Sequence, residues 1–150
     1  MVTEQPQAWP DGRTDWTRRS GGTLTAHVAA EAAALSALRA DSRQVLRDAG
    51  VPEDIAHTVQ LVLSELVGNA VRAFGDGVRL TVEVRTGADG ITVGVTDPEP
   101  GSLPLIGPSV LDSPDAEHGR GLMIIGLLCE QVDVEVTPVG KCVRCLVALP

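Results

Sequence analysis

The sequence predicts an α+β fold, a two-layer sandwich in which a mostly antiparallel mixed sheet carries three helices on one face. Three observations lead there. Short stretches of alternating apolar and polar residues cluster in the chain and are joined by tight turns, as in hairpins. Two long segments between residues 29 and 74 repeat apolar residues at helical spacing. The 150 residues are 43% hydrophobic, which suits one core and one domain. Strands clustered in this way, with helices grouped between them, pack as two layers.

The elements follow in order. Residues 1–20 are polar and rich in Pro, Gly, Asp and Arg, and read as a flexible tail ahead of a domain spanning 21–150. Leu24, Ala26 and Val28 alternate with Thr23, Thr25 and His27, giving a strand. A helix is expected from Ala29 to Ala49, with Leu35, Leu38, Val45 and Leu46 on one face and Gly50 as its stop. Pro52 suits the first turn of a second helix. Ile55, Val59, Val62, Leu63, Leu66, Ala70, Val71 and Phe74 continue that helix, and Gly75 and Gly77 end it. Val78 to Val84 and Ile91 to Val95 alternate around the turn Gly87–Gly90 and form a hairpin. Residues 98–118 carry five prolines and no period, which marks a functional or disordered loop. Gly121 to Cys129 is apolar nearly all round and reads as a short buried helix. Val132–Val136 and Val143–Leu149 are the last two strands.

Composition narrows the function. The net charge is −8, which repels a polyanion at long range and speaks against nucleic acid as a direct partner. Aromatic residues make up 2%, too few for a base-stacking platform. No apolar run is long enough to span a membrane, and no signal pattern opens the chain, so the cytoplasm is the expected compartment. Three cysteines do not suggest a disulfide framework. Cys142 and Cys145 are spaced i, i+3 on a strand, which points them to opposite faces and argues against a chelate.

Chemistry gathers in three places. On the second helix Glu65 and Asn69 stand at i and i+4, with side chains about 5–6 Å apart at Cβ, and Arg72 continues the line. Gly68 between them costs the helix about 1 kcal/mol relative to Ala, which suggests a close approach to that face. Alone, such a group also describes a solvated surface. Asp97 shares the parity of Ile91, Val93 and Val95 and so points to the core side of the sheet, where a carboxylate needs a partner. Gly119-Arg120-Gly121 opens the third helix, where backbone N–H groups and the helix dipole favour an anion.

The stretches SELVGNAVRAF (Ser64–Phe74), VTDPEPG (Val95–Gly101) and HGRGLMII (His118–Ile125) resemble, in order and spacing, the Bergerat-fold (GHKL) ATPases. The closest likeness is to their small branch of anti-sigma-factor serine/threonine kinases, over about residues 20–150. The resemblance implies ATP and Mg²⁺ as cofactors. It implies Glu65 as general base and Asn69 as the residue holding the metal. It implies Arg72 near the phosphates and Asp97 as acceptor for the adenine amine. Gly119, Arg120, Gly121 and Leu122 would contact the nucleotide beside a lid at about 98–118. Glu99 stands where a glycine is usual, so Gly101 is the nearest glycine to that position, and Ala73 replaces a frequent histidine. The partners implied are a sigma factor, an anti-sigma-factor antagonist, or both, and the branch allows a homodimer. Three functions follow: a protein kinase, a nucleotide-binding module that sequesters a regulator without transferring phosphate, and a scaffold that binds no nucleotide.

Overall fold

The structure is a computed structural model that describes residues 15–98, 124–137 and 140–150. Six strands form one sheet: β1 (Trp16–Ser20), β2 (Thr23–Ala29), β3 (Arg79–Thr86), β4 (Gly90–Asp97), β5 (Gln131–Thr137) and β6 (Gly140–Ala148). Their spatial order is β1-β2-β3-β4-β6-β5, and every neighbouring pair is antiparallel. Two long helices, α1 (Ala32–Asp48) and α2 (Glu53–Phe74), pack on the sheet, α1 over β2 and α2 over β4 and β6. The expected α+β sandwich is therefore the observed one.

Alternation decides which side of the sheet is covered. Leu24, Ala26, Val28, Leu80, Val82, Val84, Val93, Val95, Val143, Cys145 and Val147 are buried under the helices. Val59, Val62 and Leu63 of α2 and Leu46 of α1 meet them from above and are completely buried. Fully burying one such aliphatic side chain is worth about 1.5–3 kcal/mol, so this aliphatic layer needs no aromatic contribution.

The end of α1 shows how local sequence sets the path. Gly50 adopts φ +79°, its N–H bonds Arg47 O at 3.0 Å, and Val51 N–H bonds Leu46 O at 2.9 Å. This is a Schellman closure, and its left-handed residue is a glycine because a Cβ there is strained. Pro52 is the N-cap of α2 rather than part of its first turn, and Glu53 and Asp54 follow where the helix dipole favours acids.

Two expectations change. The tail read over residues 1–20 is partly wrong: Trp16–Ser20 form β1, paired along its length with β2. This strand has one apolar residue in five, so its backbone ladder and not a hydrophobic period holds it. Asp15 Oδ1 anchors its start, accepting from Ala29 N–H at 3.3 Å and lying 3.4 Å from Arg79 Nη1. Residues 1–14 lie outside the described residues. The short helix read over Gly121–Cys129 is helical at residues 124–128, but it is not buried all round. Ile125 is 1% exposed, whereas Ile124 is 46% and Leu127 is 79%. A segment this short meets the sheet along one stripe only, whatever the polarity of its other sides.

Candidate functional site

The exposed line of α2 holds the first group of residues. Arg72 folds back along the helix, its Nη2 donating to Asn69 Oδ1 and lying 3.8 Å from Glu65 Oε2. One guanidinium thus bridges the acid and the amide. Gly68 makes this possible, because a Cβ at that position would lie 3.3 Å from Arg72 Nη1. The close approach expected at Gly68 is made by the protein's own arginine. Asn69 Nδ2 and Ser64 Oγ are buried and have no hydrogen-bond partner among the described residues. An unmet buried donor costs about 1–3 kcal/mol and marks a place where a partner is missing.

The second group lies at the end of β4. Asp97 faces the helices as its parity requires, and only 6% of it is exposed. Its strand partner in the β4–β6 register is Lys141, likewise 6% exposed. Lys141 Nζ stands 3.4 Å from Asp97 Oδ2 and 5.6 Å from the centroid of the Phe74 ring, which it underlies. The partner that a buried carboxylate demands is therefore a lysine on the same sheet. The strand crossing that brings them together is tight: a Cβ on Gly140 would lie 2.1 Å from the carbonyl oxygen of Asp97.

Helix α2 joins the two groups. Asn69 and Phe74 are five residues apart, so their positions differ by roughly 7–8 Å along the helix axis at about 1.5 Å per residue. The amide and the acid thus stand on the outward line of the helix, while the buried carboxylate lies on the sheet and reaches the helix C-terminus through Lys141 and Phe74. Of the predicted residues, Glu65, Asn69 and Arg72 meet on α2, and Asp97 meets Lys141 on the sheet. Gly101, Gly119, Arg120, Gly121 and Leu122 lie outside the described residues, as does the lid beyond Pro98. A concavity of about 590 Å³, lined by Arg19, Ser20, Gly21, Gly22, Val45, Asp48 and Ala49, lies at the other end of the helix layer and touches none of these groups.

The sequence matches the histidine kinase-like ATPase domain over residues 28–146, which includes α1, α2, β3, β4, β5, most of β6 and the last two residues of β2. The chain belongs to that family. No curated protein sequence matches it. The histidine kinase-like ATPase domain is by its name a nucleotide-using domain, and membership supports ATP binding by this chain. The matched span contains both groups of residues.

The residues present suit the metal that such a nucleotide brings. Magnesium takes one or two protein oxygens and fills its remaining positions with water and phosphate oxygens. Asn69 Oδ1 is such an oxygen, already turned towards a cation in the form of Arg72. Among the described residues no group of three or more His, Cys, Asp or Glu gathers to hold an ion by itself, so phosphate oxygens would have to complete the coordination.

Sequence reading missed Lys141. The signal was present: Lys141 shares the parity of Val143, Cys145 and Val147, the same argument that turned Asp97 inward. The cysteines behave as read. Cys145 faces the core and Cys142 has the opposite parity, so the pair makes no chelate. Cys145 instead hydrogen-bonds Cys129, which pulls the Cys129 thiol down and, with burial, pushes that of Cys145 up. Among the described residues no helix is long and apolar enough to cross a membrane.

Proposed function

We propose that this protein binds Mg·ATP along the α2–β4 seam and transfers the γ-phosphoryl group to a serine or threonine of a small protein partner, as an anti-sigma-factor-type kinase of the cytoplasm. The observation that carries the proposal is the pairing of Glu65 and Asn69 on one face of α2, under a single guanidinium, with a buried amide N–H of Asn69 that has no partner among the described residues.

In this reading each side chain has one task. Asp97 accepts from the exocyclic amine of the base. Asn69 offers Oδ1 to the metal, which supplies charge neutralisation across the phosphates when bound. Arg72 leaves Asn69 and turns to phosphate oxygens, a shift that its exposed position permits. Glu65, released from Arg72, accepts the proton of the attacking hydroxyl as general base. Gly119, Arg120, Gly121 and Leu122, with Gly101, would contact the nucleotide next to the lid. Catalysis of this type rests on positioning and charge stabilisation. The partners would be a sigma factor, its antagonist, or both, and a second copy of the chain is a further candidate.

A second reading is a nucleotide-responsive regulator that sequesters its partner without phosphorylating it. It is favoured by the pairing of Asn69 with Arg72 and of Asp97 with Lys141, since nucleotide entry then exchanges contacts already made. Incubation of the chain with γ-labelled ATP, Mg²⁺ and candidate partners decides between the two. The kinase reading expects a labelled serine or threonine on a partner, lost in Glu65→Gln while ATP binding persists. Nucleotide binding without a phosphoprotein for any partner favours the regulator. Absence of ATP binding in calorimetry leaves only the scaffold.

A further inference from the structure

We propose that Lys141 and Asp97 act as one two-point reader of the purine edge, in which Asp97 accepts from the exocyclic amine and Lys141 Nζ donates to the neighbouring ring nitrogen. This makes Lys141 a specificity-determining residue, and it rests on the nucleotide reading given above.

Four observations carry it. The two side chains are cross-strand partners, Asp97↔Lys141, on the covered side of the sheet. Both are 6% exposed, whereas a lysine is almost never buried unless paired. Their charged atoms are 3.4 Å apart, so a donor and an acceptor are presented side by side. Phe74, the last residue of α2, lies over the ammonium and limits where it can swing. An ammonium has three N–H donors, so its bond to Asp97 uses one and leaves capacity for a ring nitrogen.

The complement of an acceptor beside a cationic donor is an edge with a donor beside an acceptor. Adenine offers this arrangement with its amine and N1. Guanine offers a carbonyl oxygen beside a ring N–H, the same two roles in reverse order. For a base held with its sugar in one direction, only one order matches. The pair therefore selects adenine by two contacts, where the carboxylate alone would read the amine only. It also keeps the carboxylate compensated when no nucleotide is present, which a buried charge requires.

The test is calorimetric titration of the full chain with Mg²⁺ and three ligands: ATP, the analogue bearing C–H in place of the ring nitrogen N1, and GTP. The unaltered protein is expected to bind the analogue about tenfold or more weakly than ATP, the loss of one hydrogen bond to a charged donor. GTP is expected to bind more weakly still. In Lys141→Met, ATP affinity falls and the difference between ATP and the analogue disappears. Equal binding of ATP and the analogue by the unaltered protein overturns the inference without recourse to any variant. So does an analogue penalty that survives in Lys141→Met, or tighter ATP binding by that variant. If the unaltered protein binds no ATP at all, the nucleotide reading fails and takes this one with it. ATP binding that is indifferent to N1 removes the lysine's role alone.

Discussion

Lys141 Nζ lies 3.4 Å from Asp97 Oδ2, and the two buried side chains face each other across the β4–β6 ladder. Their energetic consequence is independent of any ligand. Removing one partner takes the main counter-charge from the other buried group, which costs up to roughly 3–5 kcal/mol, whereas replacing both with apolar residues is far milder. Urea denaturation of Asp97→Leu, Lys141→Met and the double variant is expected to show two large single losses and a double loss well below their sum. Additive losses would mean that the pair is not coupled.

The Arg72 bridge gives a prediction of the opposite sign. A Cβ at position 68 meets only the mobile end of Arg72, at 3.3 Å. Gly68→Ala should therefore gain up to about 1 kcal/mol of helix propensity, while pushing the guanidinium off Asn69. Denaturation midpoints check the first effect. A substantial loss of stability would show that the arginine cannot give way.

The close crossing at Gly140 is less forgiving. Gly50→Ala strains one residue at φ +79°, for about 1–2 kcal/mol. At Gly140 the added carbon would sit 2.1 Å from the carbonyl oxygen of Asp97, a rigid backbone atom. Gly140→Ala should cost more than Gly50→Ala, measured by the same denaturation, because a strand has to shift. An equal or smaller loss would contradict the tight crossing.

The edge of the sheet carries a pH dependence. His27 touches Trp16 edge-on, with ring centroids 4.6 Å apart, and shares a 2.8 Å hydrogen bond with Thr81. Burial holds its imidazole below the ordinary histidine value of 6.5. The unfolded chain therefore takes up a proton at His27 before the folded one does. Its contribution to stability is complete above about pH 6.5 and is lost as pH falls below it, with a slope no steeper than about 1.4 kcal/mol per pH unit. Denaturation of the parent and of His27→Gln between pH 5.5 and 8 should show this extra slope in the parent only. Parallel profiles would refute it.

How much could be read beforehand depends on the kind of signal. Strand alternation in Leu80–Val84 and the helical repeat of Val59–Leu66 reflect which side must leave water, and that periodicity belongs to the sequence itself. Strand β1 had no such mark, since its residues Trp16–Ser20 are held by backbone pairing, which any sequence can supply. The apolar run at residues 124–128 misled for a related reason, because composition does not say which side a short helix lays on the sheet.

The sequence by itself determined the α+β sandwich, the i, i+4 pairing of Glu65 with Asn69, and the inward turn of Asp97, because each follows from a local repeat. Only the tertiary structure decided that Arg72 bridges the first two and that Lys141 meets the third. Lys141 is 44 positions from Asp97 in the chain, and the register between β4 and β6 alone makes them neighbours. Long-range strand register is set by the whole core's packing, so no local pattern encodes which charge answers which.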